Sequence, residues 1–95
     1  MADVDVHTVP AGGGWRCAVT IREGSSQAQH EVTLSRRAYD QLSGGRVSPE
    51  ALVREAFAFL LEREPKESIL GRFDLTVIGR YFPEFEAELH RRLEH

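Results

Sequence analysis

The stretch Ser48-Pro-Glu-Ala-Leu-Val-Arg-Glu-Ala-Phe-Ala-Phe-Leu-Leu-Glu-Arg-Glu-Pro65 decides how the rest of the chain must be arranged. It opens on a strong helix start. Ser48 offers a hydroxyl to an unpaired amide of the first turn, Pro49 has no N–H to lose there, and Glu50 faces the positive end of the helix dipole. Leu52, Val53, Ala56, Phe57, Phe59 and Leu60 then cover a broad face, with Leu61 on its far side, so the apolar arc spans about half the circumference. Only Arg54, Glu55, Ala58 and Glu62 are left for water. A helix this widely apolar has to be covered on two sides. The segment is therefore read as the central helix, from Pro49 to about Glu64, where Pro65 disfavours helical geometry.

On the N-terminal side the cover is a β-hairpin. Trp15, Cys17, Val19 and Ile21 alternate with Arg16, Ala18, Thr20 and Arg22, the period-2 pattern of a half-buried strand. Glu23-Gly24-Ser25-Ser26 is a turn, and Ala28, His30, Val32 and Leu34 alternate with Gln29, Glu31 and Thr33 in a second strand. On the polar face, Arg16 and Arg22 come near Thr33, Glu31 and Gln29. Residues 1–14 are weakly specified: Val4, Val6 and Val9 offer a third, edge strand or a loosely ordered arm, ended by Pro10 and Gly12-Gly13-Gly14. Between hairpin and central helix, Ser35 reads as the N-cap of a short helix from Arg36 to about Ser43. Leu34 and Tyr39 form its hydrophobic staple, and Gly44-Gly45 its left-handed exit.

On the C-terminal side the chain is read as helices broken at Pro65, Asp74 and Pro83. Pro65–Gly71 is predicted as a short helix. Asp74 caps a further turn or two in which Leu75, Ile78 and Phe82 share a face, and Pro83 starts a last helix carried by Phe85, Leu89 and Leu93. Leu93-Glu94-His95 resembles the beginning of an expression tag, which sets the domain at residues 1–92. The fold class is α+β: an N-terminal antiparallel hairpin, with or without the edge strand, packed on three to five helices.

Composition narrows the functional classes. Ninety-five residues make one domain with one modest core. A formal charge of −3 gives no overall field for nucleic acid or anionic membrane, so a nucleic-acid partner and a membrane are not expected. The single cysteine, Cys17, excludes an internal disulfide or a multi-cysteine metal site. No apolar run approaches a membrane span, and the expected location is a reducing cytoplasm. Eleven arginines against one lysine suggest a GC-rich bacterial source.

Candidate chemistry is sparse, and no catalytic, cofactor-binding or metal-ligating set is assigned. His30 and Cys17 both point inward on facing strands, where a packed histidine and a small hydrophobe are the ordinary readings. A catalytic thiol would need exposure and a nearby base. An enzyme using His30 or Cys17 is accordingly the third-ranked function. Glu62, Arg63, Glu64, Lys66 and Glu67 crowd around Pro65. They read chiefly as ion pairs and caps at a helix junction, with an acidic partner-binding edge as the functional alternative.

Two resemblances enter here. Val32-Thr-Leu-Ser35, a short helix, a turn and Ser48-Pro-Glu-Ala-Leu-Val-Arg-Glu-Ala-Phe57 resemble a ribbon–helix–helix DNA-binding domain, with Arg36, Arg37 and Arg46 as phosphate contacts. Against it stand the second strand's partner at Trp15–Arg22, the outward Glu31 and the negative charge. The block Leu52–Leu70, with Phe73-Asp-Leu75, Ile78 and Arg80-Tyr-Phe-Pro83, resembles a family of small bacterial proteins that has no established activity, so it implies no function. The first-ranked function is a non-enzymatic protein-interaction or adaptor module whose partner is another protein or a second copy of the chain. Its candidate contact residues are Arg63, Glu64, Pro65, Arg80, Tyr81 and Phe82, where apolar and charged groups meet at the helix breaks. DNA-binding regulation ranks second.

Overall fold

Alternating side chains lay down three consecutive strands before any helix begins. In the computed structural model, which describes residues 2–94, these are β1 (Asp3–Ala11), β2 (Gly14–Glu23) and β3 (Ser26–Leu34), an antiparallel meander. Gly12 and Gly13 link β1 to β2 with φ of 54° and 82°, the positive values a tight hairpin turn requires. Register sets Val6 opposite Val19, Cys17 opposite Val32 and Trp15 opposite Leu34. One face consequently carries Val6, Cys17, Val19, Ile21, His30, Val32 and Leu34, all buried. The other carries Asp5, His7, Arg16, Arg22, Gln29 and Thr33, all exposed. Gly14 is held for a different reason: a Cβ there would lie 2.3 Å from the Leu34 carbonyl oxygen.

Of the two readings for the N-terminal residues, edge strand or loosely ordered arm, the edge strand holds: Asp3–Ala11 form a nine-residue strand at the sheet's edge. Pro10 lies inside it without harm, because an edge strand has one side on which no ladder N–H is needed. Val9, grouped by sequence with Val4 and Val6, has the opposite parity and is 44% exposed on the open face.

The helices then stack on the buried face. Helix α1 (Arg36–Ser43) is capped by the Ser35 hydroxyl, which accepts from the Ala38 amide at 3.0 Å, and leaves through left-handed Gly44. Tyr39 packs edge-on against half-buried Trp15, with centroids 5.0 Å apart. Helix α2 (Pro49–Leu61) is capped by Ser48, whose hydroxyl accepts from Ala51 at 3.1 Å. Leu52, Val53, Ala56, Phe57, Phe59 and Leu60 are all buried, and α2 lies against β1 and β2 on one side and α1 and α4 on the other. It stops at Leu61, short of Glu64: the Arg63 amide turns back to the Leu60 carbonyl at 2.9 Å in a tighter, 3-10-type bond, and Pro65 has no N–H with which to continue.

The largest departure from the sequence reading lies between Pro65 and Asp74. Only Lys66–Ser68 turns helically, as one 3-10 turn, and the chain then enters a fourth strand, β4 (Arg72–Asp74). It runs parallel to β3, with Phe73 opposite Val32. Sheet bonds win here: the Gly71 carbonyl accepts from the Glu31 amide at 2.8 Å, and the Leu70 carbonyl lies 2.7 Å from His30 Nδ1. Asp74 then caps a 3-10 turn, Leu75–Val77, that leads into α3 (Ile78–Tyr81). Helix α4 (Phe85–Leu93) begins two residues after Pro83 and buries Phe85, Leu89 and Leu93. Leu93 thus closes the core, whereas His95 lies outside the described residues. Among those residues no helix is long and apolar enough to cross a membrane.

Candidate functional site

Three breaks in quick succession leave short elements that do not fill the space beside α2. The result is an open groove of about 400 Å³. Leu60 from the end of α2, Ile69, Leu70, Phe73 from β4, Val77, Ile78, Tyr81 and Phe82 supply its apolar surface, and Glu64 and Ser68 its polar groups. Leu70 is 50% exposed and Tyr81 68% exposed. Phe82 is half-buried, its ring edge-on to Phe59 at 5.8 Å.

The charges around the groove divide sharply. Arg63 turns away from it: its guanidinium lies 3.6 Å from the Phe59 ring centroid and donates to Glu84 at 3.2 Å and to the Phe59 carbonyl at 3.2 Å. Arg92 reaches from α4 to Glu62 at 2.5 Å and to Glu88 at 3.3 Å. Its hydrogen bond holds the Glu62 carboxyl below the ordinary carboxylate range, and Glu62 in turn raises Arg92. Lys66 is 4% exposed and donates to Glu67 at 2.8 Å and Glu23 at 3.0 Å. Those two acceptors, Glu67 first, raise the ammonium, and Glu67 is lowered in return. Glu84 is also lowered, first by its own backbone amide and then by Arg63. Asp74 is lowered despite its partial burial, because Thr76 and Thr33 donate to it. Glu64 alone of the junction carboxylates has no ion-pair partner among the described residues.

Of the six residues singled out from sequence, the groove brings together Glu64, Tyr81 and Phe82. Arg63 staples α2 to the start of α4, Pro65 is exposed outside the groove lining, and Arg80 is exposed and acts electrostatically on Asp74. Leu60, Ile69, Leu70, Phe73 and Val77 were missed. The signal for Phe73 was present, since Arg72-Phe-Asp74 has the polar–apolar–polar alternation of a strand.

The residues of the enzyme reading are sealed. Cys17 has no exposed surface, and burial pushes its thiol up to about 11, leaving no thiolate at neutral pH. His30 is 6% exposed, packs against Phe57 at 5.6 Å and leaves Nε2 without a hydrogen-bond partner among the described residues. No group of three His, Cys, Asp or Glu among those residues is placed to hold a metal. The ribbon–helix–helix reading meets an equally direct obstacle. β3 is flanked by β2 and β4, and the strand that would have to pair with a dimer mate is therefore interior to the sheet. Compared with protein-family models, curated proteins and solved structures, the chain matches none.

Proposed function

We propose that this chain is a non-enzymatic protein-interaction module that docks a partner protein in the groove between α2, β4 and α3. The supporting observation is the combination of an open apolar groove with two large, exposed side chains, Leu70 and Tyr81, at one place on the surface. A large aromatic at the edge of a concave apolar surface is the usual kind of anchor for a protein contact. Sealing of Cys17 and His30 in the core supports the non-enzymatic part of the reading. A free buried thiol is compatible with the reducing cytoplasm of a bacterial cell, where we place the module.

Selection of a random dodecapeptide display library against the intact chain tests this. Enriched peptides should shift the backbone NMR signals of Leu70, Val77 and Tyr81, and Tyr81→Ser should weaken them about tenfold. Selected peptides that map to the open face of the sheet, or no enrichment at all, would overturn the proposal.

A further inference from the structure

Glu64 occupies an electrostatically poor position. It sits just beyond the C-terminus of α2, where the helix presents the negative end of its dipole, and its own amide is tied to the Leu60 carbonyl. A carboxylate there calls for a cation. Glu62, two residues earlier, has one in Arg92. Glu64 has none among the described residues, because the cations beside it in sequence are engaged elsewhere: Arg63 with Glu84 and Phe59, Lys66 with Glu23 and Glu67. It is also the one charged residue lining the groove, otherwise walled by Leu60, Leu70, Phe73, Val77 and Tyr81.

We infer that the occupant of the groove is a partner-protein segment that sets a lysine or arginine beside an apolar anchor. The inference rests on the docking reading above and adds the chemistry of the partner. The anchor fills the apolar floor, and the cation meets the Glu64 carboxylate and the negative end of α2 together. Part of the approach is shielded from water by the groove walls, which strengthens a charge-assisted hydrogen bond over its fully exposed equivalent. An acidic segment is rejected at the same point by like charge.

The probes are acetylated Ala/Ser octapeptide amides, each carrying one Phe with Lys, norleucine or Glu at a neighbouring position, titrated into the full chain and read from the Leu70, Val77 and Tyr81 amide signals. The Lys peptides should bind about fivefold tighter than their norleucine counterparts, and the Glu peptides weakest. Glu64→Gln should abolish the Lys preference and leave norleucine peptides unchanged, as should raising the ionic strength. Because Glu64 makes no ion pair among the described residues, the variant should melt no lower than the parent, which separates a binding effect from a folding one. Equal binding of Lys and norleucine peptides in the groove would overturn the inference and leave the docking reading standing. Failure of every peptide to move those signals would overturn both.

Discussion

The open face of the sheet and the groove beyond α2 are both exposed, yet they are built by opposite rules. On the sheet, outward positions are mostly polar, Val9 excepted, and two charge pairs cross the strands: Arg22 with Asp5, Arg72 with Glu31. In the groove the exposed groups are large and apolar, and the one charge, Glu64, is unmatched. Where surface charges are paired, a partner has little to gain, because docking would desolvate pairs that water already serves well. A surface that leaves apolar area and one carboxylate unsatisfied gains from being covered. The contrast favours the groove over the sheet as the proposed docking face, with Phe59 as the joint beneath it. That ring is fully buried between Phe82, Phe85 and the Arg63 guanidinium.

Removing the joint should have the largest effect. Phe59→Ala is expected to cost about 3–5 kcal/mol in urea unfolding. Groove binding should be lost with it, since Phe82 loses its backing; a variant of wild-type stability would dissolve the distinction between joint and surface. Next comes Gly14→Ala on the sheet side, where the new methyl meets the Leu34 carbonyl oxygen. A loss of about 1–3 kcal/mol is expected, with peptide binding intact once the protein is folded.

The paired charges predict a pH profile. The carboxyls of Glu62, Glu67 and Glu84 are lowered in the folded state, so their contribution is complete above the ordinary carboxylate range and disappears as the pH falls through and below it. Lys66 is raised, so its contribution is complete below the ordinary lysine value, about 10.4, and disappears as the pH climbs past it. Urea midpoints should hold a plateau between these limits, and Glu62→Gln should soften the acid limb; an unchanged limb would remove Arg92–Glu62 from the groups that matter. The smallest effect is expected from Tyr81→Ser, within about 0.5 kcal/mol of the parent in stability despite its loss of binding. A large destabilisation would show that Tyr81 belongs to the core after all.

Much of the fold was legible because local signals agreed with tertiary ones. Ser35, Ser48 and Asp74 cap as their chemistry dictates, and the alternation through Trp15–Leu34 fixes the buried face. The segment Pro65–Gly71 was misread for a physical reason. Its proline and apolar spacing favour a helical turn locally, and only the distant amide of Glu31 and ring of His30 draw Leu70 and Gly71 alongside β3, so that Arg72–Asp74 joins the sheet. The same event explains why only part of the candidate site was visible. Glu64, Tyr81 and Phe82 stand at breaks that sequence marks, whereas Leu70 and Phe73 reach the groove through a parallel pairing whose partner strand the short Arg72-Phe-Asp74 alternation does not identify.

That pairing has a consequence in time. β2 and β3 are joined by a tight turn and can zip together at once, but β4 reaches its place only after both α1 and α2 have been threaded between it and β3. Three ladder residues are a thin reward for closing so long a loop, so β4 is expected to join last during folding and to open first in the native state. Amide hydrogens of Arg72–Asp74 should exchange with solvent faster than those of β2. A partner seated against Phe73 would slow them, acting as a clasp on the last segment to arrive.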